Sequence, residues 1–125
     1  MADIQIIHAD QREVEIASGA MTRIAGVSES LTGATGIHLA TATIPAGCES
    51  GAHRHLNCES ALYIISGTGT FMVGEKLDQT IEFGPGDFIF VPPGAPHKPM
   101  ASAGADVEMI VARNTPIEIV EAVVV

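Results

Sequence analysis

Tryptophan is absent from the 125 residues, and aromatic residues make up only 4% of the chain. A buried core must therefore be built mainly from Ile, Val, Leu, Ala and Met, and a hydrophobic content of 46% is sufficient for one. Long apolar runs are also absent, and no stretch approaches the length of a membrane-spanning helix. The first residues lack a basic region followed by an apolar one, so we expect no signal peptide and, by default, a cytoplasmic protein.

Positive charge is scarce. Six Lys and Arg residues stand against fifteen Asp and Glu residues, and the formal net charge is -9. So acidic a surface repels phosphate backbones and anionic lipid headgroups. We therefore expect neither nucleic acid nor a membrane as a partner, whereas an anionic small molecule stays compatible with a bound cation.

Cysteine is limited to Cys48 and Cys58. In a reducing compartment we expect no disulfide between them. Because they flank a His-x-His pair, a zinc site of the form C-x4-H-x-H-x2-C is one alternative, although paired zinc cysteines usually have another spacing. We favour the interpretation that both are small buried residues.

Short apolar runs punctuated by Gly and Pro recur along the chain, with IHLATATI at residues 37–44 and VEMIVAR at 107–113 as examples. Such runs, with no long helical period, indicate an all-β barrel or sandwich. Residues 20–31 fit either a strand with a turn or one weak helix. Neither a repeat nor a linker is visible, so we expect one domain over residues 1–125.

Two segments contain a candidate metal site. Residues 47–67, GCESGAHRHLNCESALYIISG, place His53 and His55 on one face of a strand, since alternate side chains share a face. If the extended chain continues, Glu59 has the same parity. Residues 84–97, GPGDFIFVPPGAPH, end in His97 after a stiff Pro/Gly turn. Neutral imidazoles and a carboxylate suit a borderline divalent cation.

These segments resemble the two motifs of the cupin superfamily. The first motif, G-x5-H-x-H-x3–4-E-x6-G, is matched by Gly47, His53, His55, Glu59 and Gly67. The second, G-x5-P-x-G-x2-H-x3-N, is matched by Gly86, Pro92, Gly94 and His97. The resemblance implies a small single-domain cupin, with a double-stranded β-helix or jelly-roll barrel. It also implies a metal held in the barrel mouth by His53, His55, Glu59 and His97.

The chain departs from the motifs in two places. Ala101 stands where the second motif ends in asparagine. The spacing before Gly67 is one residue too long, and counting back from that glycine puts the carboxylate ligand at Ser60. Strand parity favours Glu59, which shares odd parity with the histidines, whereas Ser60 would face away.

A site of three histidines and one glutamate leaves two positions open on an octahedral ion. Fe or Mn is the favoured metal, with Ni, Co, Cu and Zn as alternatives. The expected function is metal-dependent catalysis on a small organic molecule, with oxygen-dependent oxidation slightly favoured over isomerase or lyase chemistry. The competing class is a cupin, with or without metal, that binds or senses a small ligand without turnover.

Two further expectations concern single features. Tyr63 shares parity with Glu59 and could place a phenol in the cavity as a catalytic proton donor or a substrate anchor, or it could be a half-buried barrel residue without a role. The C-terminal IEIVEAVVV, residues 117–125, is an apolar strand that should be buried against the barrel or a partner chain, which predicts a homodimer.

Overall fold

The computed structural model describes residues 3–124, and strands dominate this range. In chain order they are β1 (Glu13–Glu15), β2 (Thr22–Val27), β3 (His38–Ile44), β4 (His53–His55), β5 (Ser60–Ser66), β6 (Gly69–Val73), β7 (Gln79–Phe83), β8 (Phe88–Val91), β9 (His97–Ala101), β10 (Val107–Arg113) and β11 (Val120–Ala122). The helical elements in the same range are a 3₁₀ turn (Ala9–Gln11) and α1 (Glu29–Thr32). None of the described helices is long and apolar enough to cross a membrane.

The strands form two antiparallel sheets, of order β1-β2-β3-β10-β5-β8 and β11-β4-β9-β6-β7. Buried and more exposed residues alternate along β3 and β5, as expected for sheets with one covered face. The inward side chains of both sheets form one hydrophobic core, which includes Ile44, Ile64, Phe71, Val107 and Met109. The all-β prediction is confirmed.

The ambiguous residues 20–31 contain a strand and a helix in succession. After β2, the Ser28 hydroxyl accepts a hydrogen bond from the Leu31 N–H at 3.0 Å and so caps α1. Gly33 ends the helix with a left-handed φ of 74°. The strand alternative therefore describes the first part of the segment, in β2, and the helix alternative describes its end, in α1.

The alternation of side chains does not continue from β4 into β5. Residues 56–59 between them form a turn instead of extended strand, so the register is set anew at Ser60. In β5 the even-numbered Ser60, Leu62 and Ile64 are buried, while Tyr63 faces outward. The parity expectation for Glu59 was wrong for this reason, and its side chain is exposed.

The C-terminal segment pairs with the strand that carries two of the histidines. In β11, Val120 lies opposite His55 and Ala122 opposite His53. The Leu56 N–H also donates to the Ile119 carbonyl at 2.8 Å. The segment thus adds a three-residue edge strand to its own sheet. The side chains of Ile117, Ile119 and Val120 are nevertheless exposed, so the expected burial of this segment against the barrel is not found. Val125 lies outside the described residues.

Candidate metal centre

Three histidines meet on the inner face of the five-stranded sheet. His53 in β4 lies directly opposite His97 in β9, and their ring centroids are 4.4 Å apart. His55 shares the face of His53, at 5.0 Å from it and 5.4 Å from His97. One ligand atom from each ring lies within 4.8 Å of the others. The predicted convergence of the three histidines is confirmed, and such a cluster could bind a metal.

The turn before His97 holds the two strands together. Gly94 has a φ of 77°, which favours glycine. Its N–H donates to the backbone carbonyl of His55 at 2.7 Å. The Pro/Gly turn therefore fixes the start of β9 against the end of β4, as its stiffness suggested.

Backbone carbonyls define the tautomer of two of the rings. His53 Nδ1 donates to the Gly51 carbonyl at 2.6 Å, and His97 Nδ1 donates to the Ala95 carbonyl at 2.9 Å. Because a carbonyl can only accept, both Nδ1 atoms bear the proton and Nε2 is left free to bind a metal.

Burial keeps these two rings unprotonated. Burial, opposed by the Gly51 carbonyl and reinforced by His55, lowers the pKa of His53. Burial, opposed by the Ala95 carbonyl and reinforced by the other two histidines, lowers the pKa of His97 to about 4. Near pH 7 they are therefore neutral, which is the form that binds a metal. The donor set of this structure fits a transition-metal ion.

His55 has a carboxylate partner instead of a carbonyl. Its Nδ1 lies 2.9 Å from Glu118 Oε2, at an angle outside the hydrogen-bond range, so the contact acts mainly through charge. Arg23 Nη2 lies 3.0 Å from Oε1 of the same carboxylate, and Arg113 Nη1 lies 3.2 Å from Oε2. Burial alone would raise the pKa of Glu118, but His55, Arg23 and Arg113 together lower it to about 2. Glu118 is thus an anion in contact with the histidine cluster.

The histidines line a cavity of about 280 Å³ between the two sheets. Its wall is mostly apolar, with Leu62, Phe71 and Val111 among the lining residues. Ser60 and Ser50 add hydroxyl groups, and the fully buried Ser50 Oγ has no hydrogen-bond partner within the described part of the chain. Such a site can admit a small molecule beside the imidazoles.

The structure does not bring Glu59 or Tyr63 to this cavity. Glu59 is exposed in the turn before β5, where its backbone N–H donates to Asn114 Oδ1 at 3.1 Å. Tyr63 lies on the outer face and packs against Phe88, with ring centroids 4.8 Å apart. Ser60 lines the cavity at the position to which the spacing before Gly67 pointed. Glu59 and Tyr63 were both expected to face the cavity, and both lie outside it. The reason is that residues 56–59 interrupt the strand, so that the even-numbered residues of β5 face inward and Tyr63 faces outward.

The cysteines do not join the histidines either. Among the described residues, the group of converging ligand atoms contains His53, His55 and His97 and neither cysteine. Cys48 packs against the core, and Cys58 is buried. Burial and the nearby Glu118 raise the pKa of the Cys58 thiol, so it is held in its less reactive form. Both are small core residues, as favoured above.

Glu118 is a residue of the site that the sequence pattern does not predict, because residues 117–125 read as one apolar strand. A signal was nevertheless present, because Arg23 and Arg113 both occur within apolar β runs and a buried guanidinium requires a counter-charge. The pairing of these distant residues could not be derived from spacing alone.

Comparison with known proteins agrees with the fold. Residues 40–113 match the Cupin domain family, and since this is more than half of the sequence, the chain belongs to the cupin family. A relative, an uncharacterized protein of Methanocaldococcus jannaschii, is 35% identical over 60 residues. That match covers 48% of this chain and 46% of the relative, so the aligned part spans about half the length of the curated protein.

Solved structures of other cupins superpose on most of the chain. The polyketide cyclase RemF of Streptomyces resistomycificus has a TM-score of 0.81 at 21% identity, covering 98% of this chain and 87% of its own. A predicted oxalate decarboxylase of Thermotoga maritima has a TM-score of 0.72 at 19% identity, covering 89% and 99%. The oxalate decarboxylase of Bacillus subtilis, which has Mn(II) centres, has a TM-score of 0.73 at 19% identity, covering 90% and 30%. At these identities the likeness shows the cupin jelly-roll fold.

Proposed function

We propose that this cupin is a metal-dependent enzyme acting on a small organic molecule, and that its reaction is an oxygen-dependent oxidation. The observation that carries the proposal is the convergence of three imidazoles on a mostly apolar cavity of about 280 Å³. That volume lies near the lower end of the range for ligand pockets, so the substrate is small.

His53, His55 and His97 would hold the ion, and Glu59 would not, because its side chain is outside the cavity. Fe(II) or Mn(II) is the proposed metal, with Ni, Co, Cu and Zn as alternatives. When bound, such an ion supplies open positions at which a chelating substrate and dioxygen can react.

The chain's own residues position the substrate and exclude water. The carbonyls of Gly51 and Ala95 hold two of the rings in one orientation. Leu62, Phe71 and Val111 give the cavity an apolar wall that favours a compact organic molecule over water. The Ser60 hydroxyl lines the same cavity and can bind a polar group of that molecule.

The scarcity of free acids and bases favours oxidation over isomerase or lyase chemistry. Proton transfer needs a titratable group beside the substrate that is not engaged elsewhere. Tyr63 lies on the outer face. Glu118 lines the cavity, but its carboxylate is held by Arg23 and Arg113, and with a pKa of about 2 it is a weak base.

Oxygen uptake by the Fe(II)-loaded protein tests the proposal. We expect substrate-dependent oxygen consumption with at least one compound in a panel of small enols, phenols and thiols. His97→Ala should abolish it, and the exposed His8→Ala should leave it unchanged. A substrate that turns over equally fast without oxygen would instead identify an isomerase or lyase.

A ligand-binding cupin without turnover is the second candidate. It is favoured by one observation, that a serine lines the cavity where the family motif has a carboxylate ligand. Saturable binding of a small molecule with no reaction under any metal, in air or without it, would support this alternative.

We also propose that the protein forms a homodimer. The β5–β8 patch, made of Ala61, Tyr63, Ile65, Phe88 and Phe90, is an exposed apolar surface in which Tyr63 faces Phe88 and Ala61 faces Phe90 across the strand pair. It ends at β8, which is the edge of its sheet. Light scattering should show a dimer that dissociates in Phe88→Ser/Phe90→Ser but not in Ile4→Ser, which alters another exposed apolar residue. A monomeric parent protein would contradict the proposal.

A further inference from the structure

Glu118 lines the same cavity as the three histidines and contacts one of them, His55, without belonging to the converging group of ligand residues. Its carboxylate lies 2.9 Å from Nδ1 of His55, while the converging group of ligand atoms consists of the three histidines without it. Glu118 is therefore placed to act on a metal through His55, not by direct ligation.

Glu118 is held in place through the backbone of the residues on either side of it and through its own carboxylate. Asn57 Nδ2 donates to the Ile117 carbonyl at 2.8 Å, and Asn57 Oδ1 accepts from the Ile119 N–H at 2.7 Å. These two bonds bracket Glu118. Arg23 and Arg113 contact its two oxygens, at 3.0 and 3.2 Å. With two contacts to its carboxylate and two to the backbone on either side, the Glu118 side chain loses little further freedom when its neighbour binds a ligand.

The turn that removes one carboxylate from the cavity also anchors another. Residues 56–59 direct Glu59 to solvent and leave Ser60 in the cavity. Within the same turn, Asn57 secures the segment that carries Glu118. The family motif has a carboxylate among the metal ligands. In this chain the carboxylate at the site is that of Glu118, which contacts the ligand histidine His55.

We propose that Glu118 is a positioning residue of the metal centre, supplying through His55 the negative charge that Ser60 does not supply as a ligand. An anion held 2.9 Å from Nδ1 of His55 favours the tautomer with the proton on that nitrogen and raises the basicity of the ring, and it does so more strongly than a neutral carbonyl. The inference depends on the proposed metal site. Removal of such an outer carboxylate typically weakens metal binding by about 10- to 100-fold.

Metal titration of the purified protein against a chromophoric chelator provides the test, with Co(II) as the probe because its absorption spectrum reports the ligand field. Glu118→Gln should weaken Co(II) binding by about 10- to 100-fold and alter the spectrum. Glu15→Gln is the matched control, since Glu15 belongs to the same ionic network through Arg23 and His38 but contacts none of the three cluster histidines. It should leave both the affinity and the spectrum close to those of the parent.

A second variant separates charge supply from loss of stability. In this variant Ser60→Glu, which adds a carboxylate to the cavity, is combined with Glu118→Gln. The double variant should recover most of the Co(II) affinity that Glu118→Gln alone loses. Unchanged Co(II) affinity in Glu118→Gln, or equal losses in Glu118→Gln and Glu15→Gln, would overturn the role of Glu118 while the metal site itself stands. Absence of stoichiometric Co(II) binding in the parent protein would instead overturn the metal site, and this inference with it.

Discussion

His53 and His97 lie directly opposite each other in the β4–β9 pair, with ring centroids 4.4 Å apart, and each ring is held by a backbone carbonyl two residues before it in the chain. The two histidines are therefore oriented by the strands themselves. We infer that the site is largely formed before a metal arrives, because no large rearrangement is required to bring the rings together.

Loss of one of these rings should abolish stoichiometric metal binding. His53→Ala or His97→Ala leaves two imidazoles, which are too few to hold a transition-metal ion firmly. Elemental analysis of anaerobically purified protein should give about one ion per chain for the parent and for His8→Ala, since three-histidine sites bind a single ion. Equal metal content in all four proteins would contradict the site.

Substitution should affect metal affinity at Ser60 but hardly at Glu59. Glu59→Gln changes an exposed residue outside the cavity and should alter metal affinity by no more than about twofold. Ser60→Glu should tighten binding by on the order of tenfold, comparable to the effect of an outer carboxylate. A severe loss of metal in Glu59→Gln would show that the side chain turns inward when the ion binds.

Tyr63→Phe should have almost no effect on a reaction in the cavity. The phenol lies on the outer face against Phe88, so the rate should change by no more than about twofold. Steady-state kinetics of oxygen uptake would check this. A large fall in kcat with KM unchanged would instead restore Tyr63 as a proton donor.

The metal-free protein should lose stability as the pH falls from about 6.5 towards 4. His97 has a folded pKa of about 4, below its ordinary value of 6.5, so the unfolded chain binds protons first. Its stabilisation is therefore complete above pH 6.5 and is lost through that window, by on the order of 3 kcal/mol at most. Glu118, with a pKa of about 2, adds a separate loss between pH 4.5 and 2.

Urea unfolding of chelator-treated protein at several pH values measures this dependence. His97→Gln removes one titrating imidazole and should make the curve less steep between pH 6.5 and 4, with a remaining slope from His53, whose pKa is also lowered by burial. A parent protein whose free energy of unfolding is constant over that interval would contradict the lowered pKa of His97.

The amino-acid sequence by itself determined the β architecture and the three histidines. Alternation within β4 places His53 and His55 on one face, and the stiff turn before His97 sets the start of β9; both effects depend on residues that are neighbours in the chain. Local stereochemistry is enough for such features, and the match to both cupin motifs follows the same residues.

Tertiary structure alone decided which carboxylate faces the site. Alternation holds only while the chain stays extended, and the turn at residues 56–59 reverses it, so that Ser60 takes the inward place and Glu59 the outward one. Glu118 reaches His55 because β11 pairs with β4, and because Arg23 and Arg113 attract its charge from other strands. These are long-range contacts, and their energy depends on distances that no local pattern in the sequence encodes.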